Sequence, residues 1–174
     1  MLSFYKVIQN ALDMLASRDT IAYLYGGDGS ICTETYWKRW IARYPNRIPE
    51  AEQEKIHDFT IGKRVYDCSQ LVITCCGAPD MTSKRIIDMC NPVTENLAAG
   101  VEGSILWKPG HVGIDIGYGY AIDIPCEGQT VRIRPISVGG WKKSGQLWTY
   151  VNYMNARAMD PNRGSQDPAA RKES

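Results

Sequence analysis

The residues from His111 to Ile124 leave little choice of fold. Val112, Ile114 and Ile116 alternate with His111, Gly113 and Asp115, a period of two that suits a strand with one buried face. Gly117-Tyr118-Gly119 interrupts the pattern, and Tyr120-Ala121-Ile122-Asp123-Ile124 resumes it. This predicts a β-hairpin closed by a three-residue loop with Gly119 in the left-handed conformation. In that register His111, Gly113, Asp123 and Pro125 share a face. Asp123 lies diagonal to His111, about 7–8 Å away between backbones and within reach of a side-chain hydrogen bond. Asp115 shares the face but stands about 13 Å along the same strand, too far to orient the imidazole.

A helix start lies upstream. Asp67 is a good capping residue, Leu71, Val72, Cys75 and Cys76 are the apolar positions, and Gly77 and Pro79 end the helix after roughly ten residues. Cys68 sits three and four residues before Leu71 and Val72, so it shares their inward face on the first turn, at the rim of the core. The helix dipole and unpaired N–H groups there favour a thiolate. A buried, inert cysteine fits the same position, as it does for Cys75, Cys76 and Cys90.

The remaining elements follow from shorter patterns. Residues 3–16 read as an amphipathic helix with Tyr5, Ile8, Leu12 and Leu15 on one stripe. Tyr23-Leu24-Tyr25-Gly26-Gly27 runs into a glycine-rich turn without the lysine and hydroxyl residue of a phosphate loop, and by itself reads as a tight surface turn. Thr33 caps a helix over 33–44 whose Tyr36, Trp37, Trp40, Ile41 and Tyr44 form an aromatic core face. Pro49 opens another helix through Phe59, with His57 as a solvated surface histidine. Ser83 caps a short helix over 83–90. Strands are expected at 103–107, 130–135 and 147–153, with a turn at Pro109-Gly110. From Ala156 the chain turns polar and reads as a weakly structured tail.

Composition excludes several classes. The 174 residues carry 20 basic and 19 acidic side chains, net charge +1, so no electrostatic pull toward nucleic acid or an anionic membrane is expected. There is no apolar run long enough for a membrane span. Met1–Leu15 lacks a basic leader and is interrupted by Gln9, Asn10 and Asp13, so export by the general secretory route is not expected. The six cysteines (Cys32, Cys68, Cys75, Cys76, Cys90, Cys126) form no CxxC pair and no zinc-type set with histidine. Free thiols, no metal and no cofactor are the expectation.

A cysteine on a helix N-terminus, a histidine on a strand and a carboxylate behind it are the parts of a thiol nucleophile, its base and the base's orienter. Four stretches together resemble the NlpC-type cell-wall cysteine peptidases, which share a papain-like core. They are Tyr23-Leu24-Tyr25-Gly26-Gly27, Asp67-Cys68-Ser69-Gln70-Leu71-Val72, Gly103-Ser104-Ile105-Leu106 and His111-Val112-Gly113-Ile114-Asp115-Ile116-Gly117. The resemblance covers roughly residues 20–150. It implies Cys68 as nucleophile, His111 as base and Asp123 as the third polar residue, with Tyr23 assisting the oxyanion. Ser69, Gln70 and Gly110 are candidates for the substrate cleft.

The implied fold is α+β and papain-like, with N-terminal helices and the nucleophile helix packed on an antiparallel β-sheet. The implied organisation is one peptidase domain over 1–153, with a helical insert at about 28–66 and a polar tail at 154–174. The implied activity is metal-free hydrolysis of peptidoglycan stem peptides, commonly between D-glutamate and a diamino acid, by a monomer. The simplest setting is a phage or mobile-element lysin, made in the cytoplasm and reaching the cell wall by holin- or particle-mediated release. An amidase or acyltransferase on the same fold, or a non-catalytic phage structural or binding module, are the alternatives. Three departures stand out. Gln70 replaces a glycine beside the nucleophile, Asp123 is an acid where His, Asn or Gln is commoner, and the stretch between Gly27 and Asp67 is long enough to wall or cover the cleft.

Overall fold

A computed structural model describes residues 1–156. Strand β1 (Leu2–Ser3) leads into helix α1 (Phe4–Ala16), whose first turn is closed by the Ser3 hydroxyl accepting the Lys6 N–H at 3.2 Å. The inward face of α1 is Phe4, Val7 and Ala11 rather than the expected Tyr5–Leu12 stripe; Tyr5 is 62% exposed and Leu12 37% exposed. Ile8 and Leu15 pack only at its edge. The sequence offers two overlapping apolar stripes, and tertiary contact selects between them. Small Ala11 lies on the chosen face, and neighbouring Asn10 donates to the Cys75 carbonyl at 2.9 Å, tying α1 to the cysteine-bearing helix.

Strand β2 (Ile21–Tyr23) is followed by β3 (Asp28–Ile31), helices α2 (Glu34–Arg43) and α3 (Glu50–Thr60), and strand β4 (Arg64–Tyr66). The two helices stand where the sequence puts them, α2 capped by Thr33, which accepts the Tyr36 N–H at 3.1 Å. The three strands form a small sheet in the order β2-β4-β3, with β2 and β4 parallel. The long stretch between Gly27 and Asp67 therefore builds a core of its own. Trp37 and Trp40, stacked with centroids 5.6 Å apart, pack with Leu24, Cys32, Ile48 and Val65.

Helix α4 (Cys68–Cys76) begins at Asp67 and ends at Gly77, whose φ of 64° is the left-handed cap that favours glycine. Helix α5 (Ser83–Asp88) is shorter than expected and is capped by Thr82, whose hydroxyl accepts the Arg85 N–H at 3.2 Å, not by Ser83. The remaining strands are β5 (Val93–Thr94), β6 (Ile105–Lys108), β7 (His111–Gly117), β8 (Tyr120–Asp123), β9 (Arg132–Pro135), β10 (Lys143–Gly145) and β11 (Val151–Asn152). Strands β5 to β10 form an antiparallel six-stranded sheet in the order β5-β10-β6-β7-β8-β9. The class is thus α+β, with α4 packed on the sheet. Leu71, Val72, Ile73, Cys75 and Cys76 of α4 share a core with Ile105, Val112, Ile114 and Ile122 of the sheet and with Phe4 and Val7 of α1. Burial of each large aliphatic side chain there contributes on the order of 1.5–3 kcal/mol.

Two expectations about strands change. The hairpin turn is tighter than a three-residue loop: Tyr118 and Gly119 both have positive φ, 54° and 78°, the two-residue pattern that suits a twisted hairpin. A register shift at Gly117 absorbs the difference, and Ile114 still pairs with Ile122 and Asp115 with Ala121. The strand expected over 147–153 shrinks to Val151–Asn152, paired in parallel with β1. Leu147 to Tyr150 instead close a turn, with Tyr150 and Val151 both donating to the Leu147 carbonyl. On the side of β6 away from β7 the neighbour is β10, Lys-Ser-Gly, which has no apolar alternation. Its Gly145 is needed because a Cβ there would lie 2.6 Å from that of Cys90. Of the expected tail over 154–174, residues 157–174 lie outside the described residues.

Candidate active site

Asp67 organises the helix start from both sides. Its Oδ1 accepts the Gln70 N–H and the Ser69 hydroxyl, each at 2.8 Å, and its Oδ2 accepts the Gly26 N–H at 3.1 Å. The glycine turn at 26–27 is thereby clamped against the first turn of α4. A Cβ on Gly27 would lie 2.9 Å from backbone atoms of Leu24, Val65 and Tyr66, so the close approach requires glycine. This stretch is thus more than a surface turn; Tyr25, Gly26 and Gly27 line the cleft described below.

Cys68 is buried, 6% exposed, and its sulfur points at strand β7. The thiol lies 3.9 Å from the Gly110 carbonyl, and the Val112 N–H is near enough to the sulfur to favour its charged form. These two backbone groups flank His111. Burial pushes the thiol up to about 11, and the Val112, Ser69 and Cys68 N–H groups pull against that without overcoming it. At rest the cysteine is therefore a neutral thiol, not the thiolate that the helix dipole suggests. Desolvation at the core rim outweighs the terminal N–H groups.

His111 and Asp123 meet as the hairpin register requires. His111 Nε2 stands 2.8 Å from Asp123 Oδ2. Asp123 is fully buried. Burial by itself would raise its carboxyl, but the bonds from His111 and Arg132 hold it down at about 2. An ionised carboxylate only accepts, so Nε2 carries a proton here and Nδ1 is the ring nitrogen that can serve as a base. Asp115 lies elsewhere on the face. Its Oδ1 accepts the Gly117 N–H at 2.8 Å, and burial pushes the carboxyl up to about 7.

Three residues of this cluster have no counterpart in the sequence expectations. Trp141 stacks on the His111 ring, centroids 5.4 Å apart and planes within 10°. Two glycines make the slot for it: a Cβ on Gly113 would lie 2.9 Å from the indole, and one on Gly139 would lie 2.0 Å from it. Arg132 and Arg134 both bind Asp123, through Arg132 Nε at 2.8 Å and Arg134 Nη2 at 2.7 Å. The alternation Arg132-Ile133-Arg134 marks both arginines as one face of a strand. Their opposition to Asp123 is decided by the β8–β9 register, which pairs Asp123 with Arg132 and Ala121 with Arg134. Nothing local in the sequence announces Trp141.

The cleft beside Cys68 has a volume of about 810 Å³. Cys68, Ser69, Gln70 and Gly110 line it, as does Tyr23, so all three expected cleft residues stand there. Arg43, Tyr44 and Arg47 supply a wall from the long stretch between Gly27 and Asp67. The hydroxyl of Tyr23 is pushed above its ordinary range by burial and by the nearby Cys68, Glu127 and Asp67, so it stays protonated and able to donate. His57 does not join the site. It is held by Asp58 and Glu34, both at 3.0 Å, with its ring edge-on to Trp37. Among the described residues no group of three or more His, Cys, Asp or Glu is placed to hold a metal, and no helix is long and apolar enough to cross a membrane. All six cysteines are free thiols.

No family model matches the sequence, and no curated protein matches it. Solved structures do resemble it. NlpC1 from Trichomonas vaginalis is similar at 14% identity and a TM-score of 0.49, over 81% of this chain and 44% of that one. The peptidoglycan hydrolase RipB from Mycobacterium tuberculosis is similar at 17% identity and a TM-score of 0.49, over 83% of this chain and 66% of that one. The P60 domain of an antigen from M. avium subspecies paratuberculosis is similar at 17% identity and a TM-score of 0.49, over 83% of this chain and 96% of that one. The chain thus spans less than two thirds of the first two.

Proposed function

We propose that this chain is a cysteine-nucleophile hydrolase that cleaves peptide bonds in bacterial peptidoglycan stem peptides. The observation that carries the chemistry is the meeting of three elements. The Cys68 thiol at the start of α4 lies on the backbone either side of His111, and His111 is oriented by Asp123 from the next strand, beside an open cleft. Support for the substrate class comes from the four sequence stretches that resemble cell-wall peptidases.

In this reading His111 Nδ1 takes the Cys68 proton as the sulfur attacks the scissile carbonyl carbon. The carbonyl π electrons move onto oxygen, and the oxyanion is met by the N–H groups of the first turn of α4 and by the Tyr23 hydroxyl. The imidazolium returns the proton to the amine nitrogen as the C–N bond breaks, leaving a thioester on Cys68. Water, deprotonated by His111, attacks that thioester; the sulfur leaves and recovers its proton. Because the resting thiol is neutral, attack is coupled to proton transfer and does not draw on a preformed ion pair. Asp123 stays ionised throughout and fixes the ring and tautomer.

Incubating the protein and its Cys68→Ala variant with purified peptidoglycan and with synthetic stem peptides tests this. Mass spectrometry should find new amine and acid termini with the wild type and none with the variant. No products from either protein, on any of these substrates, would sink the reading.

A further inference from the structure

We propose that Arg132 and Arg134 are positioning residues that set the protonation of His111 by cancelling the charge of Asp123. The inference rests on the hydrolase reading for its importance, though not for its measurement. An ionised carboxylate 2.8 Å from an imidazole favours the imidazolium. With a neutral Cys68 thiol, an imidazolium is useless as a base. An aspartate behind the histidine therefore needs a counterweight that a neutral Asn or Gln would not.

The structure supplies one. Arg132 places Nε 2.8 Å from Asp123 Oδ1 and Nη2 3.3 Å from Oδ2, while Arg134 Nη2 reaches Oδ2 at 2.7 Å. Oδ2 is thus shared by His111 and Arg134, with Arg132 as a longer third partner. The other titratable groups near His111 are Lys108, opposite it on β6, and, at the start of α4, the neutral Cys68 thiol with its neighbour Asp67. The Lys108 ammonium is held 2.9 Å from the Gly139 carbonyl. Trp141, uncharged, covers the ring and carries both Arg134 and Lys108 against its own face, at 5.2 and 5.4 Å. On the sheet side three cations therefore face one carboxylate. The balance opposes a further positive charge on His111 while leaving the Nε2–H to Asp123 bond in place.

A purely structural role, keeping a buried carboxylate paired, predicts lost stability but an unmoved histidine. The two are separated by the histidine titration in the full chain. The sequence has only two histidines, so ¹³C-histidine NMR of the Cys68→Ala protein gives two signals, assigned with His57→Gln. Arg134→Gln, which removes the charge but can still donate, should move the His111 midpoint up by about one pH unit, the effect of losing one adjacent charge. Arg134→Lys, which keeps the charge, should leave it within about 0.3 unit. If Arg134→Gln does not fold, Arg132→Gln is read by the same criterion, its side chain being more exposed at 37% against 18%. A midpoint that does not move in the Gln variant overturns the proposal. With Cys68 intact, the acid limb of kcat/KM on stem peptides should move by the same amount. A shifted titration without stem-peptide cleavage would keep this inference and remove the substrate reading.

Discussion

Asp123→Asn isolates the charge at the centre of the site. Its carboxyl is held at about 2 against an ordinary value of 3.8, with no solvent exposure. A gap of that size corresponds to about 2–3 kcal/mol of folding stability, at ~1.4 kcal/mol per pH unit. The sign follows from the depressed folded-state value. The contribution is complete above pH 4 and is lost as pH falls from about 4 to about 2. Asparagine removes it and also leaves Arg132 and Arg134 without their carboxylate, a loss on the order of 3–5 kcal/mol for a broken buried pair. Urea denaturation followed by tryptophan fluorescence should therefore place the variant about 3–5 kcal/mol below wild type at pH 7. Repeated at pH 3 and pH 2, the difference should narrow by about 2 kcal/mol, because the wild type is then losing the same group by protonation. A difference at pH 7 under about 1 kcal/mol, or one that stays constant from pH 5 to pH 2, would refute the claim that an ionised Asp123 anchors this cluster.

Other consequences are accessible to simpler measurements. Gly139→Ala should expel Trp141 from its slot, lowering stability by about 1–3 kcal/mol in a denaturant melt and reducing kcat as His111 loses its cover; an unchanged tryptophan spectrum and rate would disprove the slot. Tyr23→Phe should cut kcat by about 10²-fold with KM little altered if its hydroxyl meets the oxyanion, and an equal fall in affinity alone would assign it to binding. Asp115→Asn keeps an acceptor for the Gly117 N–H while removing a carboxyl pushed up to about 7. Since wild-type stability falls as pH rises from about 4 through about 7, the variant should be the more stable protein at pH 8, by about 1–3 kcal/mol, and lose that advantage by pH 5; thermal melts at the two values decide. In His111→Ala the Cys68 thiol, pushed up to about 11 by burial, should alkylate with iodoacetamide at pH 7 at least about tenfold more slowly than a free cysteine, read by peptide mass mapping.

Much of the site was legible in the linear chain, because its parts obey short-range rules. Asp67 caps a helix since an aspartate side chain reaches the N–H three residues on, and this put Cys68 on the first inward turn. The alternation from His111 to Ile124 gave a face shared by His111 and Asp123, and that survived even though the turn between them is one residue tighter than expected. Gly117 takes up the slip locally, leaving the pairing of Ile114 with Ile122 untouched. The misreadings have physical causes too. Helix α1 has apolar residues on two overlapping stripes, and only contact with α4 chooses Phe4, Val7 and Ala11. Strand β10 is Lys-Ser-Gly and exists because β6 and β5 offer it partners, not because its residues favour extension.

The sequence alone determined which atoms of Cys68, His111 and Asp123 were available and which secondary elements would present them, since caps and side-chain periodicity act over a few residues. Only the tertiary structure decided their electrical state. Burial at the rim of the core makes Cys68 a neutral thiol. Arg132 and Arg134 reach Asp123 because β9 pairs with β8 in one register, and Trp141 reaches His111 because two glycines leave room for an indole. Charge and desolvation are sums over neighbours distant in the chain, and no local pattern encodes them.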